Sequence, residues 1–166
     1  MAETQRSVLH QRLMLLLRNS VGCRLFQNFL IEEKGEVVDT TKDGLLSCAF
    51  FVSAILRMAT LDNEMPLVGS VSLSNITLIE GGEDNNQLRK NRWFGLEHDN
   101  WHGLEPGTLV FWEKLYGARH CGFIMEQGEN PLAISNSSTN GMPILHHPTF
   151  NGRRRIIHAF WHPSFE

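Results

Sequence analysis

Three cysteines and eight histidines are the residues of this chain best suited to chemistry near neutral pH, and their placement separates one pair from the rest. A cysteine attacks as the thiolate, so a nucleophilic one needs surroundings that lower its pKa from ~8.5. Cys48 lies in the first turn of an apolar run from Leu45 to Met58, where the positive end of a helix favours the thiolate. His120 opens the run His120-Cys121-Gly122-Phe123-Ile124-Met125, just after the breaker-rich Tyr116-Gly117-Ala118-Arg119. A histidine at that strand start would face a cleft, take the thiol proton and later return it to a leaving group. Such a pair cleaves or transfers acyl groups through a thioester.

The other cysteines and histidines offer less. Cys23 has no histidine near it in sequence, and Cys121, next to His120 on a strand, should point to the opposite face and not share its site. An odd number of cysteines leaves one unpaired, so free thiols in a reducing compartment are expected rather than a disulfide framework. His158 and His162, four apart on a strand, are separated by ~13 Å and cannot ligate one metal. His98 and His102 flank the loop-like Asp99-Asn100-Trp101 and lack the glutamate a metalloprotease helix carries, while His146 and His147 are adjacent before Pro148. These histidines are expected to be structural or at the surface, with no metal and no cofactor.

The elements that must position Cys48 and His120 follow from hydrophobic periodicity. Leu9, Leu13, Leu16 and Leu17 make an amphipathic helix, and Leu25, Phe26, Phe29 and Leu30 repeat that spacing up to Gly35. Residues 1–40 are therefore expected to supply N-terminal helices. The run 45–58 has no polar face, which predicts a helix buried all round. Residues 62–104 are polar and irregular, with a short helix expected near Gln87 to Trp93, and could frame a site as readily as pass it by. After Pro106-Gly107, four β-rich runs follow, from Thr108 to Trp112, His120 to Met125, Leu132 to Ser135 and Arg155 to Trp161. Helices first and sequential strands second predict an α+β domain over 1–166, an antiparallel meander over 106–162 packed on the buried helix.

Composition narrows the partners. An apolar fraction of 42% and a net charge of −3, without long runs of either sign, argue for a globular chain and against a nucleic-acid partner. Arg153-Arg154-Arg155 is the one basic cluster and reads as solvated edge charge. The longest concentrated apolar run near the N-terminus, Leu13 to Leu17, is too short for a signal peptide or a membrane helix, so a cytoplasmic protein is expected.

Three segments in order, Ser47-Cys48-Ala49-Phe50-Phe51-Val52-Ser53, then Leu104-Glu105-Pro106-Gly107-Thr108-Leu109-Val110-Phe111-Trp112, then His120-Cys121-Gly122-Phe123-Ile124, resemble the NlpC-type papain-like cysteine peptidases and the related CHAP amidases. Ala133-Ile134-Ser135-Asn136-Ser137-Ser138 matches where that superfamily places a polar orienting residue. The resemblance implies a papain-like fold with Cys48 as nucleophile, His120 as base and Asn136 orienting the imidazole, Ser135 being the alternative if strand register differs. It further implies an oxyanion site at the Cys48 backbone N–H and a peptide or amide substrate, a cell-wall (peptidoglycan) peptide being typical. Ser47 stands where the superfamily commonly has an acidic residue, and Phe50 where it has a small one. A binding module that keeps the scaffold without catalysis is the alternative reading, followed by a His-liganded metal protein.

Overall fold

The computed structural model of the chain describes residues 7–60, 88, 92–97, 101–115 and 118–166. Helix α1 (Val8–Ser20) starts at Ser7, whose side chain accepts from the His10 N–H. It buries Leu13 and Leu17 of the predicted stripe, together with Met14. His10, from the same face, has its ring Nε2 2.7 Å from the Pro106 carbonyl, tying α1 to the Pro106-Gly107 turn. Gly107 sits at φ +95°, and a side chain there would press on that ring at 3.0 Å.

The second expected helix does not form. Arg24–Phe26 is one 3-10 turn, and the chain then runs into strands β1 (Leu30–Glu33) and β2 (Glu36–Asp39), paired antiparallel from Leu30↔Asp39 to Glu33↔Glu36. The connecting Lys34 and Gly35 both have positive φ, 54° and 82°, as tight two-residue hairpins require. Helical spacing of Phe26 and Phe29 reflects instead their shared target, since Phe29 stacks on Phe50 at 4.6 Å and Phe26 meets Phe51 edge-on at 5.0 Å.

The Asp39 carboxylate then fastens the loop that leads into the next helix. It accepts from the Phe29, Thr41 and Asp43 N–H groups and from the Asn28 and Thr41 side chains, at 2.7 to 3.1 Å. Burial alone would raise its pKa, but these donors, led by Asp43, hold the carboxyl well below the usual range.

Helix α2 (Cys48–Thr60) is the apolar helix expected from 45–58, beginning at Cys48 itself. It packs on a six-stranded antiparallel sheet ordered β3-β8-β4-β5-β6-β7, built from β3 (Phe94–Gly95), β4 (Leu109–Leu115), β5 (Ala118–Glu126), β6 (Leu132–Ser137), β7 (Met142–His146) and β8 (Ile156–Trp161). All four expected strand runs are present, and the α+β class holds. Strand β7, not expected from the sequence, adds an outer strand to β6 with Ala133 facing His146.

Alternation divides the sheet cleanly. Phe111, Cys121, Phe123 and Ile134 face α2 and share a core with Cys48, Ala49 and Phe51. Val110, Trp112, Ile124 and Ala133 face the other way and pack with Phe150. Of the irregular 62–104 segment, only residues 88, 92–97 and 101–104 are described: Leu88 is helical and accepts from the Trp93 N–H at 2.9 Å, while the rest of the helix expected near Gln87 to Trp93 and the His98 position lie outside the described residues. Among the described residues, no helix is long and apolar enough to cross a membrane.

Candidate active site

The first residue of α2 is brought to the start of β5. The Ser47 hydroxyl donates back to the Gly44 carbonyl at 3.0 Å, and the Phe51 N–H closes the first helical turn on the Ser47 carbonyl at 2.8 Å. The Asn136 side-chain amide donates to the same Gly44 carbonyl at 3.0 Å, so one oxygen gathers the helix start and strand β6. Gly44 also approaches Gly141 so closely that any side chain would collide with its backbone, and both glycines have positive φ.

Cys48 is 5% exposed and its thiol pKa is held well below the ordinary range. The largest cause is a hydrogen bond from the Cys121 thiol. Burial opposes the shift, and the hydrogen bond and positive charge of His120, with a further hydrogen bond from the Cys121 backbone N–H, reinforce it. Cys121 moves the opposite way: burial first, then the neighbouring Cys48 sulfur, push its thiol up, so it stays a protonated donor. The expectation that Cys121 and His120 could not share a site is therefore corrected. Their side chains do leave β5 on opposite faces, but Cys48 interacts with both.

Behind His120 runs a chain of hydrogen bonds. His120 Nε2 lies 2.8 Å from Ser135 Oγ, Ser135 Oγ lies 2.8 Å from His146 Nε2, and His146 Nδ1 lies 2.9 Å from the His147 carbonyl oxygen. The carbonyl can only accept, which fixes every proton before it. His146 donates through Nδ1 and presents a bare Nε2, Ser135 donates to that nitrogen, and His120 donates through Nε2 to Ser135. Nδ1 is then the His120 nitrogen left for Cys48. Burial lowers the His146 pKa from 6.5 to about 4, and the charge of His120 adds to that, which keeps His146 neutral as the chain requires.

Packing holds these rings in place. His146 stacks on Phe150 at 3.9 Å, and Trp112, fully buried, lies 5.5 Å from both His120 and His146 while donating its Nε1–H to the Pro148 carbonyl at 2.6 Å. Gly122 permits the close approach of β5 and β6. A side chain there would fall on the Ile134 carbonyl oxygen and lie 2.8 Å from Ser135 Cβ.

Of the residues expected from sequence, Cys48 and His120 are brought together. Asn136 is not the orienting residue of this arrangement: it is on the Ile134 face, 1% exposed, bonded to Gly44, with its side-chain oxygen unpartnered among the described residues. The bond to His120 is made by Ser135, the alternative that strand alternation left open. His146, expected to be structural or at the surface, instead joins the site through Ser135, and in the sequence only its adjacency to His147 in a β-rich texture marks it. His158 is exposed on β8, and His162 accepts from the Ser164 N–H at 3.2 Å at the following turn. Among the described residues, no three His, Cys, Asp or Glu side chains converge as a metal site. The chain matches no protein-family model, no curated protein and no solved structure.

Proposed function

We propose that the protein is a papain-like thiol hydrolase that cleaves an amide bond through an acyl-thioester on Cys48. The observation that carries this reading is the convergence of Cys121 and His120 on one buried sulfur, with the Ser135–His146 chain fixing the tautomer of His120. The Cys48 thiolate attacks the carbonyl carbon while the N–H groups of the first turn of α2 face the developing oxyanion. The C–N bond breaks as His120 gives its Nδ1 proton to the leaving amine. Water then attacks the thioester, giving a proton back to His120, and Cys48 departs as thiolate. Ser135 and His146 position His120 and take no part in bond making. An amide or isopeptide is the substrate class, and a cell-wall peptide is the instance the sequence resemblance supplies.

An electrophilic acyl probe, such as a peptidyl acyloxymethyl ketone, tests this reading. Mass mapping should find the adduct on Cys48 in the wild type and none in Cys48→Ala. Labelling of Cys23 or Cys121 in preference to Cys48 would refute it.

A further inference from the structure

Two of the cysteines meet in the core, and in the hydrolysis proposed above only Cys48 makes and breaks a bond. Cys48 opens α2, and Cys121 lies on β5 opposite Phe111 of β4. Both are free thiols, and the Cys121 thiol and backbone N–H each donate to the Cys48 sulfur. A disulfide needs two side chains that face each other from neighbouring backbones, and a thiol–thiol hydrogen bond is already that arrangement. The remaining thiol, Cys23, is half-buried ahead of the Arg24–Phe26 turn, where its sulfur accepts from the Leu25 N–H at 3.4 Å.

The two environments differ as a two-step oxidation requires. Cys48 keeps 5% of its surface exposed and holds the thiolate, the form that attacks a peroxide. Cys121 is 0% exposed among Phe111, Phe123 and Ile134 and stays protonated, out of reach of a dissolved oxidant. The sulfur it can react with is the one it already touches. An alanine or valine would fill the same place in the core, but neither would carry a second thiol to Cys48.

Resting on the reading of Cys48 as the reactive thiolate, we propose that Cys121 is a resolving thiol, and that hydrogen peroxide closes a Cys48–Cys121 disulfide that shuts the site reversibly. The Cys48 thiolate attacks one peroxide oxygen, the O–O bond breaks, and the departing hydroxide takes the His120 proton and leaves as water. Cys48 is then a sulfenic acid, oxidised by two electrons. The Cys121 sulfur attacks the Cys48 sulfur, the S–O bond breaks, and the released hydroxide takes the Cys121 proton to give a second water. One peroxide is thus reduced to two waters as the sulfurs join. No nucleophile remains while the bond stands, and exchange with a dithiol reductant restores both thiols. The disulfide also keeps Cys48 from the sulfinic acid, which such a reductant does not reverse.

Peptide mapping of the full chain tests this. After hydrogen peroxide, alkylation of the remaining thiols and digestion without reductant, the wild type should yield a Cys48–Cys121 linked peptide, lighter by two hydrogens than its two parts. Labelling of Cys48 by the peptidyl acyloxymethyl ketone should be lost in step with the link, and dithiothreitol should return it to the untreated level. Cys23→Ser should behave as the wild type. Absence of the link, or a disulfide through Cys23 in its place, overturns the proposal without recourse to any variant of Cys121.

Removing the resolving thiol gives the complementary result. In Cys121→Ser, and in Cys121→Ala where the core rejects serine, dimedone should trap a Cys48 sulfenic acid that the wild type does not accumulate. Prolonged peroxide should then carry Cys48 to the sulfinic acid, a loss of labelling that dithiothreitol no longer restores. Equal dimedone trapping in wild type and variants, with equal recovery, would show that Cys121 resolves nothing. A Cys48 that takes the acyl probe but forms no link refutes the resolving role and spares the hydrolase reading. A link in a protein whose reduced Cys48 never takes the probe does the reverse.

Discussion

The two faces of the sheet treat the residues of β5 in opposite ways. On the face under α2, Cys121 is sealed among Phe111, Phe123 and Ile134, and its environment keeps it a protonated thiol. On the other face, His120 joins a polar chain that ends at a backbone carbonyl and borders an open cleft. One face therefore supplies a fixed donor and the other an imidazole, and Cys48 draws on both. At Cys48 the Cys121 hydrogen bond contributes most and exceeds the burial that works against the thiolate, and His120 adds to it from the other face.

The largest effect should come from breaking the cleft face at its hinge. Gly122→Ala would push β6 away from β5, separating Ser135 from His120 and forcing the Ile134 carbonyl aside. We expect a stability loss of about 1–3 kcal/mol by thermal or urea denaturation, with turnover falling further than the unfolded fraction explains. A variant as stable and active as the wild type would mean that the two strands need not approach so closely.

Next in size is the choice of orienting residue. Ser135→Ala should lower turnover by about ten- to a hundredfold and leave Cys48 alkylable, because nucleophile and base remain. Asn136→Ala should instead reduce stability by about 1–2 kcal/mol, through the lost Gly44 bond, with turnover per folded molecule nearly unchanged. Reversal of these two outcomes would restore Asn136 as the third residue.

The helix-covered face is probed by Cys121. Replacing it with alanine removes a donor to the Cys48 sulfur and should slow alkylation of Cys48 at pH 6 by about tenfold, whereas Cys121→Ser, which keeps an O–H donor, should lose much less. Equal rates in the two variants would show that the Cys121 side chain does not donate.

The smallest effect concerns His146. Its folded pKa of about 4 lies below the ordinary 6.5, so the unfolded chain binds the proton first and stability declines as pH falls from 6.5 toward 4. His146→Asn should flatten the melting temperature over that window, and an unchanged slope would mean that His146 is not buried neutral.

How much of this was legible beforehand depends on the range of the interactions. The helix that begins at Cys48, the four strand runs and the proximity of Cys48 to His120 could be read from local hydrophobic texture, motif order and the chemistry of the two residues. The hairpin at 30–39 was not, because Phe26 and Phe29 carry a helical spacing although a tight turn at Lys34-Gly35 decides the local structure. Alternation alone already put Ser135 and Asn136 on different faces, but which face His120 shares depends on pairing between β5 and β6. His146 entered through β7, whose proline-containing stretch Met142 to His146 is a weak strand signal. Long-range register was the missing quantity in both cases.

The pH dependence of Cys48 alkylation by iodoacetamide tests most directly whether His120 sustains a Cys48 thiolate. The rate constant for Cys48, resolved from Cys23 and Cys121 by peptide mapping, should titrate well below the ordinary thiol range, and His120→Ala should move that transition upward. A wild-type transition near ~8.5, the same as for a free thiol and unaltered in His120→Ala, would contradict it.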